Sequence, residues 1–306
     1  MSKPLFSIIT PSLNRAEYIT DAIESVLGQN YPDFEHLILD GGSDDGTLDI
    51  LVHYPHLQIV SEKDTGMYAA LNKGLELAKG EWIGFLNSDD LYAGNIFTNI
   101  AEKFRDEHVF AVAGEAIIFN DTAGGKREIR QHFSPAGKSL LELATLGSPF
   151  FNAWFFRRSV FDKIGKLNSN YRIAADREFM LRFALSNLEY TAVDIMIYQY
   201  RQHAGAMTFE VNYQKLERIV KEHLQMTDSY LRQPDLPRQA MRLIRQASTQ
   251  DTLEAAAHAI SKGKLGTAAY FMAAGTRHDL AWVIKFGKRA LGKLRKLSSK
   301  KQEKDK

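Results

Sequence analysis

The sequence predicts an α/β fold, an open and mostly parallel sheet flanked by helices, with a helical extension at the C-terminus. Three observations carry this. Short apolar runs alternate with segments of helical period over the first ninety residues; each run ends in a polar, turn-rich cluster; and beyond about residue 212 the chain reads as helix, rich in Lys, Arg and Gln. Alternating strands and helices imply parallel βα units. In such sheets ligands sit beyond the carboxyl ends of the strands, which is where these polar clusters fall.

The first strand is Phe6–Thr10, ended by Pro11. Asn14, with Glu17 three residues later, reads as a variant capping box. Ile19, Ala22, Ile23, Val26 and Leu27 then recur at helical spacing before the stop at Tyr31-Pro32. His36–Leu39 is the second strand, and it meets Asp40-Gly-Gly-Ser-Asp-Asp-Gly-Thr47, whose glycines permit tight backbone turns. A helix starts near Thr47. Leu57–Val60 is the third strand, and Tyr68–Ala78 a helix with Gly80 as its left-handed stop. Trp82–Leu86, apolar on both faces, is the fourth strand and runs into Asn87-Ser88-Asp89-Asp90. From Val109 strand-like pieces (Val109–Ala113, Ala116–Phe119) surround a Gly124-Gly125 turn, followed by helices and the aromatic-rich Phe150–Phe161.

The chain has 306 residues, 44% hydrophobic and 25% charged, enough for one large domain and an appendage. A net charge of +2 gives no reason to expect a nucleic-acid partner. The absence of cysteine excludes disulfides and thiolate chemistry, so any metal has oxygen or imidazole ligands. The start lacks a charged-then-apolar leader, and no stretch approaches the roughly 20 apolar residues of a membrane span. The expectation is a cytoplasmic protein, with peripheral attachment to the inner face of the membrane left open.

Adjacent carboxylates at the end of a buried strand, Asp89 and Asp90, repel one another and persist where a cation, a helix N-terminus or solvent compensates them. They either cap the next helix or hold Mg²⁺ or Mn²⁺ against a diphosphate. Thr10-Pro11-Ser12-Leu13-Asn14 and Asp40–Thr47 follow neighbouring strands, and are either loop punctuation or the walls of a base-and-ribose pocket. Asp64-Thr65-Gly66 leads into Tyr68, Asn72 and Lys73; Asp64 suits a helix cap, whereas polar Asn72 among apolar helix positions is harder to explain by packing.

Together these segments resemble glycosyltransferase family 2, inverting enzymes of the GT-A, Rossmann-like fold. The matching segments are Phe6-Ser-Ile-Ile-Thr-Pro-Ser-Leu-Asn14, Asp40-Gly-Gly-Ser-Asp-Asp-Gly-Thr47, Asp64-Thr-Gly-Met-Tyr-Ala-Ala-Leu-Asn-Lys-Gly74 and Asn87-Ser-Asp-Asp90. The resemblance covers about residues 4 to 205, and the form of the third motif is similar to a bacterial subgroup that builds exopolysaccharides of the colanic-acid type. It implies a nucleotide-diphosphate sugar donor, a glycan or lipid-linked acceptor, and Mn²⁺ or Mg²⁺ as cofactor. It implies donor contacts at Thr10, Pro11, Asn14, Asp40, Asp64, Asn72 and Ser88, and metal ligation by Asp89 and Asp90. Two positions depart from the family: Asn87, where Asp commonly begins the metal motif, and Gly41, where many members carry a second acid after Asp40.

An inverting transfer needs a base to take the acceptor's proton. Asp176, in Ile173-Ala-Ala-Asp-Arg-Glu-Phe179, is by itself an N-cap; the resemblance makes it the base, following the aromatic-Arg-Arg stretch Phe155-Phe-Arg-Arg158, with Glu178 in reserve. Relatives often place His-Gln where this chain has Phe151-Asn152. Glu115 either points into the acceptor cavity or faces solvent. His203 lies where some relatives return a histidine to the diphosphate or metal, with a hydrogen-bonded structural role as the other reading, and Arg201 is an alternative phosphate partner.

The expected organisation is a GT-A domain over 1–211, with a nucleotide half at 1–95 and an acceptor half at 96–211. A helical extension follows over 212–297, then a disordered basic tail at 298–306. Within 282–297, Trp282, Val283, Phe286, Ala290, Leu294 and Leu297 recur at helical spacing beside six Lys and Arg. This is either a membrane-surface helix with Trp282 among the headgroups or a helix docked on the body. A glycosyltransferase is the leading expectation. A nucleotidyltransferase, or a noncatalytic protein with a degenerate transferase fold, are the others. The processive synthases related to the family it resembles carry a Gln-x-x-Arg-Trp segment and membrane helices; neither is found in this sequence, so the resemblance implies a single addition per encounter.

Overall fold

A computed structural model describes residues 4–122, 127–203 and 213–284. Every position of β1 (Phe6–Ser12) is buried, because this strand lies inside a sheet covered on both faces. It is followed by α1 (Ile19–Leu27), β2 (Phe34–Asp40), α2 (Thr47–Leu51), β3 (Leu57–Ser61), α3 (Met67–Leu77), β4 (Trp82–Phe85) and β5 (Leu91–Tyr92). Then come α4 (Ile96–Lys103), β6 (Val109–Asp121), β7 (Arg127–Phe133), α5 (Leu140–Thr145), a single 3₁₀ turn at Phe151–Ala153, β8 (Trp154–Arg157), α6 (Ser159–Ile164), α7 (Ala175–Leu185) and β9 (Glu189–Arg201). The strand order is β3-β2-β1-β4-β8-β6-β9-β5, with β7 beside β6.

The predicted parallel βα units are present: β3, β2, β1 and β4 are mutually parallel, so their carboxyl ends share one edge. Beyond β4 the sheet is mixed, since β8 runs antiparallel to both β4 and β6 while β9 is parallel to β6. Phe6, Phe97 and Phe155 anchor the core on one face, with Phe6 and Phe97 stacked at 4.7 Å.

Two local expectations change. Asn14 does not cap a helix: it adopts φ +52°, residues 15–18 make a turn, and α1 begins at Ile19. Gly80 is not a left-handed stop, because α3 already ends at Ala78 in extended geometry. Glycine is needed at position 80 for proximity, as a Cβ there would lie 2.6 Å from the backbone nitrogen of Ser7.

The chain forms two compact units, Met1–Glu210 and Val211–Lys306. The second unit holds α8 (Tyr213–Leu231), α9 (Arg238–Ser261) and α10 (Leu265–His278). Its core gathers Val220, Leu224, Leu253, Phe271 and Trp282. Trp282 is 0% exposed and donates from Nε1 to Thr252 Oγ1 at 2.9 Å. Gly275 makes room for its indole. Trp282 is therefore a core residue and not a headgroup anchor. The rest of that predicted amphipathic segment, the 298–306 tail and the Gly124-Gly125 turn lie outside the described residues. No helix among the described residues is long and apolar enough to cross a membrane.

Candidate active site

The shared edge of β1–β4 gathers the first three motifs. Asp40, at the end of β2, is 2% exposed. Its Oδ2 accepts from the Gly42 and Ser43 amides, both at 3.0 Å, and from Ser61 Oγ at 2.7 Å, while Oδ1 accepts from Ser43 Oγ. Burial opposes its charge, but these bonds outweigh burial and hold the carboxyl below its usual range. Asp40 thereby shapes the loop after β2. Asn14 ties that loop to the end of β1: its Oδ1 accepts from Asp44 N at 3.0 Å, and its own amide donates to Ser43 Oγ. Thr10 is fully buried and its hydroxyl bonds His36 Nε2 at 2.9 Å, so its side chain is engaged inside the protein and is not offered to solvent. Pro11 is likewise buried, and the Ser12 hydroxyl is buried without a hydrogen-bond partner among the described residues.

Gly41 leaves space that another carboxylate fills. A Cβ at position 41 would stand 3.1 Å from Asp64 Oδ2, and Asp64 Oδ1 accepts from Gly66 N at 2.8 Å. Asp64 thus brings an acid from the next βα loop to the place where many family members carry one after Asp40.

The loop following β4 separates its two carboxylates. Asp90 is 0% exposed; its Oδ2 accepts from Tyr198 Oη at 2.6 Å and Asn87 Nδ2 at 2.9 Å, and Oδ1 from Arg201 N at 2.7 Å. Burial and the neighbouring Asp89 charge push its carboxyl up to about 8. Both of its oxygens are engaged from within the protein, so in this arrangement Asp90 is a structural acid, and of the two carboxylates only Asp89 is part-exposed. Asn87 faces Asp90, and Ser88 is buried.

Asp89 turns the other way. Its Oδ2 lies 3.1 Å from His203 Nε2 and 3.2 Å from Arg15 Nε. The His203 ring packs on Tyr18 at 4.4 Å. Arg201 is not a free phosphate partner: it is 5% exposed, and its guanidinium is committed to Asp21, Asp121 and the Asp89 carbonyl.

The second half contributes through α7 and the segment before it, which α3 of the first half holds in place. Asn72 Nδ2 donates to Leu167 O at 2.7 Å and its Oδ1 accepts from Leu167 N at 3.0 Å, while Tyr68 Oη donates to Ile173 O at 2.9 Å. Asn72 therefore clips the segment leading to Asp176, and its amide is not offered to the donor. Asp176 is part-exposed in the first turn of α7. Glu178 is 6% exposed and gripped at both oxygens by Arg182, which removes the reserve base from solvent reach. Glu115 pairs with half-exposed His132 at 2.9 Å. Asn152 donates to Tyr198 Oη at 2.8 Å.

Sequence reasoning missed Arg15 and Tyr198. Arg15 directly follows the first motif, and its reach from there to Asp89 is visible only once β1 and β4 are neighbours. Tyr198 lies 108 residues from Asp90 and carries no local signal.

Residues 7–165 match the family model described as Glycosyl transferase family 2. The chain is 32% identical over 226 residues to a PGL/p-HBAD biosynthesis glycosyltransferase of Mycobacterium tuberculosis (strain ATCC 25618 / H37Rv), covering 72% of this chain and 85% of that protein. It is 45% identical over 93 residues to a Bacillus subtilis (strain 168) protein named as a teichuronic acid biosynthesis glycosyltransferase, covering 29% of this chain and 37% of that one. The fold is similar to that of S. aureus TarS 1-349 in complex with UDP-GlcNAc (TM-score 0.56, 18% identity, covering 87% of this chain and 90% of that one). It is also similar to a mannosyltransferase from Pyrobaculum calidifontis in complex with GDP-Man and Mn²⁺ (TM-score 0.56, 19% identity, covering 96% and 81%).

Proposed function

Since the chain belongs to glycosyltransferase family 2, we propose that it transfers a sugar from a nucleotide-diphosphate donor to a glycan or lipid-linked acceptor. Transfer inverts the anomeric carbon and serves bacterial surface-polysaccharide synthesis at the inner face of the cytoplasmic membrane. The observation that carries this reading is the meeting of Asp89, His203 and Arg15 beyond the carboxyl end of β4. A carboxylate, an imidazole and a guanidinium converge there beside the loops organised by Asp40 and Asn14. The domain plan follows: a nucleotide half and an acceptor half in the first unit, and a helical extension in the second. Support for the donor class comes from the fold neighbours, which hold UDP-GlcNAc and GDP-Man. Support for the pathway comes from the names of the mycobacterial and Bacillus relatives.

The donor set suits Mn²⁺ or Mg²⁺. Asp89 supplies a hard oxygen and His203 a borderline nitrogen on one point, whereas no group of three or more ligating side chains occurs among the described residues. Two protein donors fit an ion whose remaining positions go to phosphate and water. Such an ion, when bound, neutralises the leaving diphosphate. Arg15 adds fixed positive charge at the same point and holds the Leu13 and Asn14 carbonyls, so the first loop and the Asp89 loop are positioned together. Asp64, exposed after β3, borders the nucleotide pocket. Asp176, part-exposed where α7 begins, takes the acceptor proton; Tyr68 and Asn72 fix the segment that presents it.

A thermal-shift screen of nucleotide sugars, with and without Mn²⁺, tests this directly. A metal-dependent shift is expected in the wild type and is lost in Asp89→Ala. No shift with any nucleotide sugar would remove the donor assignment. Asp176→Asn keeps the shift and loses transfer.

A further inference from the structure

We infer that the helical second unit carries a binding site for the phosphate headgroups of an anionic membrane, centred on three arginines of α9. Arg238, Arg242 and Arg245 are spaced by four and three residues and so share one face of the helix. With Thr249, and with Arg277 and Leu280 from the end of α10 and just beyond it, they line a cleft of about 1010 Å³.

Charge accounting identifies what the cleft lacks. Arg277 is paired with both oxygens of Asp228, and His278 is held between Asp228 and Ser248. The one acid lining the cleft, Asp279, accepts from Ala281 N at 2.9 Å and from Thr249 Oγ1 at 3.4 Å. Arg238, Arg242 and Arg245 are exposed and form no ion pair among the described residues. Three exposed guanidiniums on one face make a locally positive surface that favours an anion, and the guanidinium fork matches phosphate oxygens.

The apolar rim identifies the source of the phosphate. Leu280 lines the cleft and is 88% exposed, and Val283 and Ile284 follow at 58% and 64%. Inorganic phosphate gains nothing from bare aliphatic side chains, whereas a bilayer surface takes cations at its phosphates and aliphatics just beneath them. The headgroup role that one of the two readings gave to Trp282 thus passes to its neighbours, since Trp282 itself is core.

The test uses the full chain in sedimentation with phosphatidylcholine vesicles, with and without phosphatidylglycerol, and no donor sugar, so its outcome is independent of the transfer reading. Wild type is expected to pellet only with the anionic vesicles. Arg242→Gln/Arg245→Gln should weaken that binding roughly thirtyfold, given about one kcal/mol for each basic residue at an anionic surface. Leu280→Ser should also weaken it. Lys262→Gln/Lys264→Gln removes the same charge from elsewhere on the same unit and should leave pelleting unchanged, with circular dichroism confirming that each variant folds. Inorganic phosphate at matched ionic strength should not displace the protein. The inference is overturned if wild type fails to pellet, if the arginine pair pellets like wild type, if the lysine pair loses as much, or if phosphate alone competes.

Discussion

Asn72 makes two complementary hydrogen bonds to the backbone of Leu167, donating to its carbonyl at 2.7 Å and accepting from its amide at 3.0 Å. A side chain on α3 thereby behaves like one rung of a strand for a segment 95 residues away. Replacing it by Ala leaves both backbone groups without that partner, at a cost of about 1–3 kcal/mol. The expected outcome for Asn72→Ala is a lower Tm and a fall in kcat with donor affinity retained. A fall in donor affinity with kcat unchanged would return Asn72 to the nucleotide pocket.

The two carboxylates after β4 should separate cleanly by mutation. Asp90→Ala strands the Tyr198 hydroxyl, the Asn87 amide and the Arg201 N–H, and should cost about 2–4 kcal/mol in denaturant unfolding. Asp89→Ala, at a part-exposed position, should leave stability within about 1 kcal/mol while abolishing the metal-dependent nucleotide shift.

How much of this was legible beforehand differs by element. The strands, the parallel order of the first four and the edge where polar loops gather follow from periodicity, because a buried strand cannot hide its apolar run. Asp89 was readable for the same reason, as an acid at the end of such a run. The division of labour between Asp89 and Asp90 was not, since it depends on Tyr198 and Arg201 arriving from β9. Asn14 and Gly80 were misassigned because helix-boundary residues look alike whether they cap a helix or bridge two loops. Trp282 stayed between two readings for a related reason: helical spacing marks an apolar face without saying whether protein or lipid covers it.

His36 gives the stability a pH signature. Burial first, and the nearby His56 charge second, depress its pKa to about 3. The unfolded chain takes up this proton near its ordinary value of about 6.5, and the folded chain does not. Its contribution is therefore full above about 6.5 and declines as pH falls towards 3. Between pH 6.5 and 5, wild type should lose about 2 kcal/mol relative to His36→Gln. Parallel unfolding profiles for the two proteins would contradict this.

Trp282→Ala should destabilise the helical unit by about 3–5 kcal/mol, the usual cost of emptying a fully buried indole site, and should be visible as an earlier thermal transition. A variant with unchanged Tm would restore the lipid-facing reading of this residue.

The bonds from Tyr198 and Arg201 to Asp90 span 108 and 111 residues of sequence. On the ribosome, Asp90 therefore emerges long before the groups that make its burial tolerable. Until β9 is synthesised and seated, the loop after β4 has a strong reason to stay open to water. A chain cut between 95 and 198 should then hold its first four strands yet lack a settled Asp89, so competence to engage a donor is acquired late in synthesis and all at once.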